Sequence, residues 1–164
     1  MCIRDSFLQF AVWGAYLTSM GTYLFNIGLG AKIGLFYAMQ GIVSLFMPAI
    51  MGIIADRWVP AQKLYGFCHF MAAVFMVAAG WYGYVDGEAV NFGTLFTFYS
   101  LSVAFYMPTL ALTNSVAYTA LDKVKLDPVI AFPPIRIFGT IGFICSMLLT
   151  DILGFQNNYM QFFS

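Results

Sequence analysis

Of 164 residues, 62% are hydrophobic and 9% charged, where a soluble domain carries roughly 25% charged residues. So few charges exclude a water-soluble globule. Seven Lys and Arg against seven Asp and Glu leave no net charge, which removes the basic footprint of a nucleic-acid binder.

Crossing a hydrocarbon core of ~30 Å takes ~20 predominantly apolar residues, and the charges and turn residues cut the chain into five stretches of about that length. The predicted spans cover residues 7–29, 33–55, 64–85, 92–121 and 134–153. The fold class expected is therefore an all-α integral membrane bundle. Residues 1–6, Met-Cys-Ile-Arg-Asp-Ser, resemble a translated sequencing-adapter remnant and are read as a non-native leader. The first apolar stretch is too long for a signal peptide and lacks a cleavage site. Residues 155–164 read as an external loop followed by the opening of a truncated sixth helix, with Tyr159 and Phe163 in its first turn. With Arg4 set aside as part of that leader, Arg57, Lys63, Lys123 and Lys125 fall on one side of the alternating topology and Lys32 on the other. The positive-inside bias then puts the N-terminus in the cytoplasm. The loop containing Asp86 and Glu88 has no Lys or Arg, as an outside loop would.

Inside lipid a polar side chain is costly unless it packs on another helix or lines water, so polar spacing reports an inward face. In the first span Gln9, Trp13, Tyr16, Met20 and Tyr23 recur every three or four residues and share a face. Tyr99, Ser102, Tyr106, Thr109 and Thr113 do so in the fourth, and Arg136, Thr140, Phe143 and Met147 in the fifth. Such faces suit helix packing, and equally a flat, partly polar solute whose rings stack and whose edge is read by hydroxyls. In the second span Gly34, Ala38 and Gly41 form a small-residue face expected to let another helix approach closely. Pro48 and Pro108 each free a carbonyl and bend their helices.

Arg136 is the sharpest single residue. A guanidinium in a span costs several kcal/mol, although ~14 residues separate it from Thr150, about 21 Å along a helix, so it lies in the inner half and can snorkel to headgroups. No Asp or Glu occupies the middle of a span, so a carboxylate proton relay is expected elsewhere in the protein. Cys2, Cys68 and Cys145 form neither a CxxC nor a disulfide framework. Cys68 and Cys145 are expected to be buried, and no metal or cofactor is expected. His69 adjoins Cys68, but sequence neighbours on a helix point in different directions.

Gly52-Ile-Ile-Ala-Asp56-Arg57 between the second and third spans resembles the loop signature of the major facilitator superfamily, without its later Gly-Arg portion. Phe7-Leu-Gln-Phe10 with Trp13-Gly14, Ala104-Phe-Tyr-Met-Pro-Thr109, and the string from Phe132 through Pro133, Pro134 and Arg136 to Phe143 are similar to the nucleoside:proton symporters of that superfamily, the bacterial nucleoside permeases. The resemblance runs from Phe7 to the end of the chain and covers less than half of such a transporter. It implies a carrier of two six-helix halves working by alternating access, with this chain an N-terminal part. It implies nucleoside and protons as partners and the inner (cytoplasmic) membrane as location. It also implies a substrate site containing Arg136, Thr140 and Phe143, and a gating loop of Gly52, Asp56 and Arg57. Gln9, Trp13, Tyr16, Tyr99, Tyr106, Thr109 and Thr113 become candidates for the cavity lining. Three readings compete: a facilitator-type carrier for sugars or another small polar solute, a membrane enzyme, and a non-transporting scaffold. The enzyme reading lacks a nucleophile beside a base or a carboxylate and His cluster.

Overall fold

The computed structural model describes residues 2–86 and 90–163, and these are helical with no strand among them. Six helices follow in chain order: α1 (Cys2–Leu17), α2 (Ser19–Asn26), α3 (Ile33–Arg57), α4 (Ala61–Asp86), α5 (Phe92–Lys123) and α6 (Pro128–Ile152). The last four are each long and apolar enough to cross a membrane. Their exposed positions carry large apolar residues such as Leu45, Phe46, Phe70, Ile137 and Leu148. That surface suits acyl chains, and the helical backbone satisfies its own polar groups there. The loop at 87–89, expected on the outside, lies outside the described residues.

The first predicted span is two helices rather than one. Ser19 Oγ donates to the Ala15 carbonyl at 2.6 Å, the acceptor its own amide would use, and such back-bonding loosens and bends a helix. Thr18 between them keeps right-handed helical dihedrals (φ −83°, ψ −34°), so the chain holds its direction across the break. The fifth span starts earlier than expected, at Pro128, because Asp127 caps it: its carboxylate accepts from the Val129 amide at 2.9 Å and proline follows at the first helical position. Asn91 caps α5 in the same way, accepting from Gly93 at 2.8 Å.

α5 is the central helix, with 50% of its most apolar window buried against 6% for α3. It packs on α3 and α4, and α1 packs along α6. Glycines permit the second of these contacts. A Cβ at Gly142 would meet the Phe7 carbonyl, and one at Gly14 would sit 2.5 Å from the Phe143 carbonyl. Ser146 Oγ donates to the Ala11 carbonyl across this seam at 2.5 Å. The close approach expected at Gly34 and Gly41 of α3 does not occur, since a Cβ at either meets nothing within 4 Å. That face of α3 is open because no described helix lies against it. Cys145, expected buried, is exposed on the outer face of α6, whereas Cys68 is buried.

Beyond α6 the chain turns at Gly154, whose φ of +69° favours glycine, and continues as two 3-10 turns, Phe155–Asn157 and Tyr159–Phe162. The segment expected to open another helix is thus a tight turn folded against α4. Phe162 is buried, with its ring 5.3 Å from that of Tyr23.

Candidate functional site

The polar stripes of the first and fourth predicted spans meet inside the bundle. Gln9 is their node: its Nε2 donates to Thr109 Oγ1 at 2.8 Å, its Oε1 accepts from Tyr65 OH at 3.0 Å, and its backbone carbonyl accepts from Tyr106 OH at 2.5 Å. Thr109 passes its own proton to the Tyr106 carbonyl at 2.6 Å, and Thr113 Oγ1 donates to the Thr109 carbonyl at 2.7 Å. Gln9, Tyr99, Tyr106 and Thr109 are buried and Thr113 is half-buried. Their geometry fastens α1, α4 and α5 together. Tyr16 stacks edge-on against Tyr99 and Tyr106, with centroids 6.4 and 5.8 Å away. With Tyr106, His69 and Ser102 it lines a cavity of about 260 Å³ between α1, α4 and α5.

A separate groove opens on the other side of α1. One lobe, of about 280 Å³, is lined by Phe10 and Trp13 of α1, Ser44 of α3, Asn114 of α5 and Arg136 of α6. The adjoining lobe, of about 320 Å³, shares Trp13 and Ser44 and adds Tyr37 and Gln40. Four helices thus contribute to one depression. Trp13 stands at the junction, its indole ring 5.8 Å from Phe143 in an edge-on pair and 6.0 Å from Phe10. Its Nε1 is buried with no hydrogen-bond partner among the described residues.

Arg136, Thr140 and Phe143 share one face of α6 as their spacing requires. The guanidinium lies over the Phe10 ring, 4.2 Å from its centroid, so a cation–π contact steadies the charge. No described carboxylate pairs with it. The Arg136 donors are therefore free to take an acceptor from outside the chain. Thr140 is exposed, with its hydroxyl 3.5 Å from the Arg136 carbonyl, which is at the limit of a hydrogen bond. Of the expected lining residues, Trp13 walls the groove, Tyr16 and Tyr106 wall the second cavity, and Gln9, Tyr99 and Thr109 serve the interior web. Gly52, Asp56 and Arg57 sit in the last turn and a half of α3, the two charged residues exposed.

Sequence reasoning passed over Tyr37, Gln40 and Ser44, having read α3 by its glycines. Their spacing of three and four, continued by Pro48, was the available signal. Asn114, one position past the fourth-span stripe, was missed because it belongs to the adjacent face of α5.

A family model described as nucleoside H+ symporter matches residues 4–163. The chain belongs to the nucleoside H+ symporter family. Among curated proteins it is 40% identical over 160 residues to the xanthosine permease of Escherichia coli (strain K12), covering 96% of this chain and 37% of that protein. It is 40% identical over 161 residues to the nucleoside permease NupG of the same organism, with the same coverage of each chain. The crystal structure of the nucleoside transporter NupG superposes with a TM-score of 0.88 at 39% identity, over 98% of this chain and 38% of that one. A point mutant of that transporter gives a TM-score of 0.90, also at 39% identity, over 98% of this chain and 39% of that one. The chain therefore spans a little over a third of the length of these relatives. It is a multi-pass membrane protein by its family and by its apolar helices.

Proposed function

We propose that the protein carries nucleosides across the inner membrane together with protons, by alternating access, and that the groove beside Trp13 is this chain's share of the solute site. The observation that supports this most is the meeting of an unpaired guanidinium, two aromatic rings and several polar groups from four helices in one depression of an apolar bundle. A nucleoside has the matching parts: a flat base to lie against Trp13 or Phe143, and oxygens on base and ribose to accept from Arg136. The NupG and xanthosine permease names are consistent with that solute class. The wall facing the groove belongs, in this reading, to the part of the transporter that this chain does not span, as does the proton-coupling group. Asp56 and Arg57 latch the cytoplasmic face in one state, and the N-terminus lies in the cytoplasm, following the distribution of Lys and Arg.

The test is uptake of radiolabelled uridine by cells producing the full-length transporter. Arg136→Ala is expected to cut uptake about 10- to 100-fold at equal protein in the membrane, since hydrogen bonds to charged groups are worth about 1.5–3 kcal/mol. Uptake that unlabelled sugars block and unlabelled nucleosides leave untouched would give the site to a sugar instead.

A further inference from the structure

Tyr37, Gln40 and Ser44 line the lobe of the groove beside Trp13, and two of the three have already used their donors. Tyr37 OH donates to the Leu17 carbonyl at 2.7 Å, and Ser44 Oγ to the Gly41 carbonyl at 2.8 Å. Gln40 differs. Its Oε1 lies 3.4 Å from the hydroxyl of fully buried Tyr99, a long hydrogen bond that draws the carbonyl arm toward the bundle interior. Its Nε2 has no partner among the described residues. The ring of Trp13 walls the same lobe. An amide N–H donates only, and this one stands on the wall of the groove without an acceptor. The lobe therefore asks for an acceptor on a flat partner.

We propose that Gln40 is a specificity-determining residue whose Nε2 donates to a ring carbonyl oxygen of the nucleobase. The inference rests on the nucleoside reading given above. A base that carries an oxo group at the reading edge completes the amide. One that carries an exocyclic amino group there sets donor against donor and leaves both unpaired, the kind of mismatch that discriminates most strongly. Inosine and adenosine make the sharpest pair, differing at one ring carbon by oxygen against an amino group.

The experiment is competition of radiolabelled uridine uptake by unlabelled inosine and adenosine, in cells producing the full-length transporter. Wild type is expected to be inhibited by inosine at a concentration about tenfold lower than by adenosine, one lost hydrogen bond's worth of affinity. In Gln40→Leu the two inhibition constants are expected to converge, through weaker binding of inosine, while membrane abundance is unchanged. Gln40→Glu keeps the size and the oxygen toward Tyr99 but sets an acceptor in place of the amide donor, and must shift the ranking toward adenosine even if the Leu variant fails to fold. A wild type that ranks the two nucleosides equally, or a Gln40→Glu variant that keeps the wild-type ratio, overturns the assignment of Gln40. A wild type that takes up no uridine overturns the nucleoside reading instead, so the two failures are distinguishable.

Discussion

Gln9 shows how one side chain can hold three membrane helices in register. It uses both ends of its amide and its own carbonyl, reaching Thr109, Tyr65 and Tyr106 at 2.5–3.0 Å. Leucine at this position would fill similar volume and leave two hydroxyls without their amide partner. Inter-helix hydrogen bonds in bilayers average about 0.6 kcal/mol and reach about 1.7, so Gln9→Leu is expected to cost about 1–3 kcal/mol. Thermal unfolding of the full-length protein in detergent measures this. Uridine inhibition constants of the protein that remains folded should stay as in wild type, because Gln9 serves the interior web and not the groove. Arg136 stands in contrast. Its guanidinium rests on an aromatic face at 4.2 Å and leaves its in-plane donors unspent, which is why its loss is predicted to act on uptake.

At the scale of helices, the seam between α1 and α6 is set by glycines whose missing Cβ atoms make room for backbone. Gly142→Ala drives a methyl into the Phe7 carbonyl, and overpacking of this kind costs about 1–3 kcal/mol. Gly34→Ala on α3 meets nothing within 4 Å and should gain the helix propensity of alanine, about 0.5–1 kcal/mol. Opposite shifts in detergent melting temperature are the expected result. Equal shifts would mean that the α1–α6 seam has room for a methyl group. The seam also matters for the site, because it is what brings Phe143 of α6 onto Trp13 of α1.

Among the described residues the bundle presents apolar flanks and, between four helices, a groove with polar groups in it. Thiol chemistry distinguishes them, since the reactive thiolate needs water. Ser44→Cys is expected to react with a membrane-impermeant thiol reagent and to be protected several-fold by uridine. The native Cys145, exposed on the outer face of α6, faces lipid and should react little, with no protection. Labelling of the introduced cysteine that ignores uridine while uptake persists would place the solute path elsewhere.

The sequence by itself determined that this chain belongs in a bilayer, roughly where its helices run, and that Arg136, Thr140 and Phe143 share a face, because hydropathy over twenty residues and a 3.6-residue period are local properties. It also carried the family, through Asp56-Arg57 and the Phe132 to Phe143 string. Tertiary structure decided what each face meets. The stripes of the first and fourth spans looked alike in sequence, yet Gln9, Tyr99 and Thr109 turn into the bundle while Trp13, from the same stripe as Gln9, opens to the groove. The glycine-bearing helix α3, taken for a packing surface, supplies Gln40 and Ser44 to that groove. Periodicity defines a face and its chemistry, but only the arrangement of the other helices says whether that face is covered, and by what.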